Sequence, residues 1–327
     1  VAPQPQPDVG TPATSVPVAP LVVLGGPTAT GKTGLAIALA ERLLARGIPA
    51  EVISADSRQV YRGLDIGTAK ATPAERADVV HHGLDLVDPD EPYSVADFRA
   101  HALGALAGLA RAGGVGILAG GTGLWLRAVL AGLDTDALPS DAALRAQIEA
   151  DLTADGVEAL AARLRELAPR LADRTDLRNP RRVVRALEIA TLRGDAPLPR
   201  LLGYPAPTIG LQLAVDPPEL RRRIAVRARA QFAAGLVEEA RALRERFDPA
   251  LPAFSAIGYR ESWGHLDGEL SLEAAIELDA TRNLQFARRQ QTWFRREPAL
   301  RVLDATADPR PAAVDALESL LAARDAG

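Results

Sequence analysis

The sequence has no cysteine and no methionine, and aromatic residues fill only 4% of its 327 positions. Without thiols there is no disulfide framework, no thiolate zinc site and no cysteine nucleophile. Lysine is almost absent as well: Lys32 and Lys70 are the only two among 38 basic residues, the rest being arginine. Beside abundant Ala, Gly and Pro, that skew reads as a GC-rich coding bias. No stretch approaches the ~18 uninterrupted apolar residues needed to cross a bilayer. A net charge of −4 gives no whole-chain reason to bind nucleic acid, so any such reason must be local. What remains, 47% apolar and 24% charged residues, suits one large folded domain or two.

Residues 1–20 are proline-rich and nearly uncharged, without the basic start and apolar run of a secretory signal. They read as a disordered tail on a cytoplasmic protein. From Leu21 the pattern changes. Leu21-Val22-Val23-Leu24 runs into Gly25-Gly26 as a buried parallel strand would, and Leu35, Leu39 and Leu43 give the helical spacing that follows. Ala50 to Ser54 and Val115 to Ala119 read as further strands, with a helix over Val95 to Ala112 between them. Residues 139–192 read as helices only, before one more strand over Thr208 to Val215 and two long helices, Pro218 to Phe247 and Ser271 to Glu297. The expectation is an α/β fold: a P-loop NTPase-like parallel sheet flanked by helices. Residues 21–138 and 207–327 form that core, and 139–206 an all-helical insertion domain. Without a visible coiled-coil repeat, a monomer is expected.

Gly26-Pro27-Thr28-Ala29-Thr30-Gly31-Lys32-Thr33 matches G-x-x-x-x-G-K-[ST] between a strand and a helix, the context the motif requires. Its backbone N–H groups and the helix N-terminus would cradle phosphate, Lys32 would add a full charge, and Thr33 would ligate Mg²⁺. A P-loop hydrolase usually carries a Mg²⁺-holding Asp at the end of a later strand. Here that strand ends Ala119-Gly120-Gly121-Thr122-Gly123, without a carboxylate. The site therefore suits a diphosphate that leaves rather than a triphosphate that donates phosphoryl.

Asp56 follows the second strand, where open α/β sheets put their ligands. A turn or cap aspartate is an equal reading of the residue alone. Ser57, Arg58 and Gln59 extend it into a polar run able to meet a base edge or a phosphate.

The P-loop, Ala55-Asp56-Ser57-Arg58-Gln59-Val60-Tyr61, Asp65-Ile66-Gly67-Thr68-Ala69-Lys70 and Gly120-Gly121-Thr122-Gly123-Leu124 together resemble the bacterial tRNA dimethylallyltransferase family. So do Ala256-Ile257-Gly258-Tyr259-Arg260-Glu261, Thr281-Arg282-Asn283 and Arg288-Arg289-Gln290-Gln291-Thr292-Trp293-Phe294, so the likeness spans residues 25–297. It implies transfer of a dimethylallyl group from its diphosphate to N6 of adenosine 37, beside the tRNA anticodon. Gly26, Pro27, Thr28, Ala29, Thr30, Gly31, Lys32 and Thr33 would then hold the leaving diphosphate, with Mg²⁺ on Thr33 and help from Thr122, Arg223 and Arg227. Asp56 would be the general base, and Asp56, Ser57, Arg58 and Gln59 would contact tRNA, as would Arg145, Arg181, Arg182 and Arg185 on the insertion. Two departures stand out: Trp125 where the family commonly has Tyr, and Phe232 where it often has Met.

The charge distribution supports an RNA partner where the average does not. Residues 51–100 hold ten acids against five bases, whereas 178–185 carry four arginines and 282–296 five, with no acid before residue 297. Arg221, Arg222, Arg223, Arg227 and Arg229 make a third group. Arginine's planar fork binds phosphate and stacks on exposed bases. Adjacent His81-His82 with Asp85 and Asp88 invite a metal reading, but neighbouring side chains diverge on a strand, which favours a structural role. Three alternatives stay open: a P-loop small-molecule kinase, an isopentenyltransferase acting on free adenine nucleotide, and a non-enzymatic RNA-binding module.

Overall fold

A computed structural model describes residues 17–132, 138–199, 201–297 and 299–325. The expected tail lies, through residue 16, outside the described residues. The described residues divide into two compact units, an α/β unit within 17–129 and 204–325 and a helical unit within 130–203.

In the α/β unit the chain runs β1 (Leu21–Gly25), α1 (Lys32–Leu44), β2 (Ala50–Ser54), α2 (Pro73–Asp78), β3 (His81–His82), α3 (Val95–Arg111), β4 (Val115–Gly120) and α4 (Gly123–Leu130). The helical unit contributes α5 (Ala142–Leu167), α6 (Pro169–Asp173) and α7 (Pro180–Arg193). The first unit resumes with β5 (Thr208–Ala214), α8 (Pro217–Ala233), α9 (Leu236–Arg246), a 3-10 turn at Pro252–Ser255, α10 (Tyr259–Leu266), α11 (Leu272–Phe294), β6 (Arg301–Asp304) and α12 (Arg310–Asp325).

The six strands form one sheet of order β3-β2-β4-β1-β5-β6, parallel throughout. Every residue of β1 and β4 is buried, as the continuous apolar runs required of central strands covered on both faces. Val22, Leu24, Ile117, Leu211 and Leu213 pack with Leu39 and Leu43 of α1 and Leu317 and Leu320 of α12. This core fixes the order of the strand ends. β4 lies between β1 and β2, so the loops after all three emerge side by side at the carboxyl edge.

Two outer strands carry no apolar signal in the sequence. β3 is two residues long, and β6 exposes Arg301, Val302 and Asp304 while burying only Leu303, so neither makes an apolar run. The single helix expected over Pro218 to Phe247 is two, because Gly235 stands between α8 and α9 at φ +103°, outside helical space.

The helical unit has its own core, with Ile148, Leu160 and Leu164 of α5 meeting Val183, Val184 and Leu187 of α7. Gly156 breaks α5 at φ +81°. Asn179 caps α7 by accepting from the Arg182 N–H, and Pro180 occupies its first turn.

Candidate active site

The P-loop turns back sharply after β1. Gly26 has φ +144°, and a side chain there would press on the Leu213 carbonyl; Gly31 is left-handed at φ +88° and opens α1 without any side-chain cap. The first-turn N–H groups of α1 are therefore not satisfied by a capping side chain, and Thr33 beside them is exposed. Thr30 folds inward to the Pro27 carbonyl at 2.9 Å, and the Lys32 ammonium donates to the same carbonyl at 2.5 Å. Crowding by protein lowers the Lys32 pKa to about 8, Asp56 opposing the shift and Arg227 adding to it.

Asp56 leaves the end of β2 in a turn, its Oδ1 accepting from the Arg58 N–H at 2.9 Å. Both readings of this residue hold geometrically: it closes a local turn and it lines two cavities, of about 260 and 370 Å³. These cavities share Thr28, Asp56, Thr68 and Arg227. The larger one has the P-loop on its wall, with Gly31, Lys32 and Thr33. The smaller is lined by Ser57, Arg58, Thr122, Asn283, Phe286 and Arg289. Thr122 accepts from the Ser57 N–H at 3.0 Å and so ties the end of β4 to the Asp56 turn. That close approach needs Gly120 and Gly121, where a Cβ would collide with the Ala55 carbonyl and with the Gln290 amide.

Arg227 reaches this crevice from α8. Its Nη1 donates to Thr28 Oγ1 at 2.6 Å and its Nη2 to Asn283 Oδ1 at 2.9 Å. Arg223, one turn earlier, turns elsewhere: it pairs with Glu219 at 2.7 Å and approaches the Thr306 carbonyl at 3.4 Å, and it lines neither cavity. Gln59 is spent internally, accepting from Ser54 Oγ at 2.7 Å and donating to the Thr68 and Ala69 carbonyls. In the helical unit Arg145 and Arg185 both close on Glu188, at 2.8 and 2.6 Å, while Arg181 and Arg182 are exposed. Burial alone would raise the Glu188 pKa, but Arg185, the Asp141 N–H and Arg145 together hold it below the usual range.

Several further residues shape the crevice, two inside motifs that gave them no role, Gln290 and Lys70, and two outside any motif, Glu239 and Gln231. Gln290 of α11 accepts from the Thr28 N–H at 2.8 Å and donates to the Gly121 carbonyl at 3.0 Å, bridging the P-loop to the β4 end. Glu239 of α9 accepts from the Ile66 and Gly67 N–H groups, and Gln231 of α8 donates to the carbonyls of the same two residues. Lys70 is buried and donates to the Tyr61 carbonyl, Asp65 and Asp85 at 2.6, 2.7 and 2.5 Å, closing the segment that follows the Asp56 turn. A signal did exist on α11: Asp279, Asn283 and Gln290 share one helix face and are buried, where an amphipathic pattern would set apolar residues.

Trp125 packs inward, stacked on Phe98 with ring centroids 4.2 Å apart. His82 bonds Glu51 at 2.6 Å and His81 bonds the Val79 carbonyl at 2.8 Å. No group of three His, Cys, Asp or Glu residues suited to a metal occurs among the described residues, and no helix among them is long and apolar enough to cross a membrane.

The family model of IPP transferase matches residues 59–297. The tRNA dimethylallyltransferase of Anaeromyxobacter sp. (strain K) is 50% identical over 281 residues, covering 85% of this chain and 90% of that one. The crystal structure of the tRNA isopentenylpyrophosphate transferase from Bacillus halodurans superposes with a TM-score of 0.66 at 36% identity, over 92% of this chain and 97% of that one. A eukaryotic dimethylallyltransferase, crystallised acting on tRNA, gives a TM-score of 0.75 at 26% identity, over 92% and 79%. On sequence and fold together, this chain belongs to the IPP transferase family and is, as a member of it, a prenyltransferase.

Proposed function

We propose that the protein transfers a dimethylallyl group from dimethylallyl diphosphate to N6 of adenosine 37 in tRNAs that read codons beginning with U. The observation that carries this reading is the shared crevice, with a carboxylate, Asp56, between a cationic P-loop wall and a polar second cavity. The diphosphate lies against the α1 N-terminus, Lys32 and Arg227. As the allylic C–O bond breaks, negative charge grows on the diphosphate, and cations fixed beforehand act on the transition state. N6 attacks the allylic carbon, a C–N bond forms, and Asp56 takes the N6 proton while diphosphate leaves. The target base must leave its stack to reach Asp56, at a cost of a few kcal/mol.

Mg²⁺ fits the donor set. The exposed Thr33 hydroxyl lines the P-loop cavity beside Asp56, and a hard cation of this kind completes its shell with diphosphate oxygens and water. Thr33 would hold it, and it would neutralise charge on the leaving group. Arg181 and Arg182 present exposed cations to tRNA phosphate. Arg145 and Arg185 contribute through the helical unit's own rigidity, since Glu188 already engages them.

The test incubates the protein with Mg²⁺, labelled dimethylallyl diphosphate and unmodified anticodon stem-loops. Label on the N6 of the loop adenosine is expected. Transfer to AMP or ATP but not to RNA would replace this reading with the nucleotide isopentenyltransferase, and phosphoryl transfer from ATP to a small acceptor with the kinase.

A further inference from the structure

The buried polar row on α11 ends on the arginine of the crevice. Asn283 Nδ2 donates to Asp279 twice, to Oδ1 at 2.9 Å and to the main-chain carbonyl at 3.2 Å. Its Oδ1 is thereby turned to Arg227 Nη2 at 2.9 Å, and the other Arg227 terminus meets Thr28 of the P-loop at 2.6 Å. Both Asp279 and Asn283 are nearly inaccessible, at 1% and 6% exposure, and Asp279 faces no solvent that could reward its charge. An amide is symmetric in shape but not in chemistry, so something must decide which end faces the guanidinium. Its neighbours decide it together: the guanidinium only donates, so the oxygen must face Arg227, and the main-chain carbonyl and ionised carboxylate of Asp279 only accept, so the NH₂ end must face Asp279.

We propose that Asp279 and Asn283 are positioning residues for prenyl transfer, a relay whose ionised carboxylate orients the Asn283 amide so that Arg227 is held against Thr28 and aimed at the diphosphate. The relay rests on the reading that Arg227 acts on that diphosphate. Protonated Asp279 loses its charge and so weakens the bond it accepts from Nδ2, which leaves the amide held by the Asp279 main-chain carbonyl and Arg227 and its grip on the guanidinium looser. The groups facing Asp279 set where this happens. Burial raises its pKa to about 6, Glu261 of α10 adds to the rise, and Asn283, Arg227 of α8 and Arg282 of α11 oppose it. Glu261 is itself buried and held by Arg282 and the Gly258 N–H. The relay is therefore tight at pH 7 and loosens as pH falls through about 6.

Steady-state kinetics of the full chain, with dimethylallyl diphosphate and anticodon stem-loop varied separately from pH 5 to 8, test this. The variants are Asp279→Asn, Asn283→Leu and Arg227→Gln, each with a thermal melt. The native enzyme is expected to lose donor kcat/KM as pH falls through 6. Asp279→Asn should lack that acid limb and run about ten-fold low throughout, with the RNA KM within two-fold of native. Asn283→Leu should match it in size. Asp279→Asn should also melt above the native enzyme at pH 8, since it removes a buried charge, so its lower activity does not come from unfolding. Native kinetics and an unchanged acid limb in Asp279→Asn overturn the relay if Arg227→Gln is impaired. If Arg227→Gln keeps native donor kcat/KM, the role of Arg227 on the diphosphate falls, and the relay with it.

Discussion

In the helical unit Arg145 and Arg185 close on one buried carboxylate, Glu188, whereas in the α/β unit Arg227 closes on a hydroxyl and an amide and lines the crevice. The partners make the difference. A carboxylate neutralises a guanidinium and fixes it in place, and charge spent this way serves the fold. Neutral acceptors fix the same group without cancelling its charge, which stays available to an anion. In an arginine-rich chain a stretch of positive charge says little about function until its partners are known. Arg223 and Arg227 make the point within one helix: one is paired with Glu219 and the other is held by the Thr28 hydroxyl and the Asn283 amide.

The largest effect expected anywhere in the molecule is in the crevice. Asp56→Ala should lower kcat by about 10²–10⁴ while donor and RNA affinities stay near native, as a lost general base requires. Rapid-quench turnover beside equilibrium binding would reveal it; weakened binding with the bound complex reacting at the native rate would remove Asp56 from the chemistry. Arg227→Gln follows, losing about 10²-fold in donor kcat/KM with the melting temperature little changed. Arg223→Gln, on the same helix, should be nearly silent in that assay. Equal losses from the two would erase the distinction between arginines held by acids and arginines held by neutral groups.

Glu188→Ala attacks the other side of the comparison. It leaves two guanidiniums without their shared acceptor, and since their side chains are 40% and 34% exposed, water recovers part of the loss. A destabilisation of about 2 kcal/mol is expected, below the range for fully buried pairs. Urea unfolding followed in the helical unit should show it, with prenyl transfer per folded molecule falling less than in Arg227→Gln.

Much of this was legible from residues alone. The central strands, the P-loop and the Asp56 turn announce themselves because each rests on a local rule: apolar runs bury, glycines turn, and strand ends collect ligands. The Asp279–Asn283–Arg227 row was not legible, because it joins residues 227 and 283 across two helices and depends on which amide end faces which neighbour. The two lysines lie between these cases. Lys32 follows from its motif. Lys70 is explained only by the fold, where three oxygens converge on one ammonium whose three donors point apart; a flat guanidinium does not match that arrangement.

Lys32 also gives the comparison a pH dependence. Its pKa, lowered to about 8, means that the charged form is lost as pH rises through 8 in the donor-free protein, whereas the arginines stay charged. A bound diphosphate favours the charged ammonium and draws the proton back. Donor kcat/KM should therefore fall above about pH 8, by up to ten-fold per unit, while RNA affinity holds. A profile flat to pH 9.5 would mean that Lys32 is not a site of diphosphate charge.

The smallest effect belongs to the exposed arginines of the helical unit. Arg181 and Arg182 are open to solvent, and Arg182 pairs with Asp176 at 3.7 Å. If they meet RNA phosphate, Arg181→Ala with Arg182→Ala should raise the stem-loop KM a few-fold and leave kcat and stability unchanged. The sharper reading is the salt dependence, which should shallow by about 0.7 for each phosphate that is no longer neutralised on a single-stranded segment. Arg145→Ala separates the two kinds of arginine in the same experiment. A residue spent on Glu188 should lower stability without shallowing the salt slope, and a shallower slope there would show that Glu188 shares it with RNA.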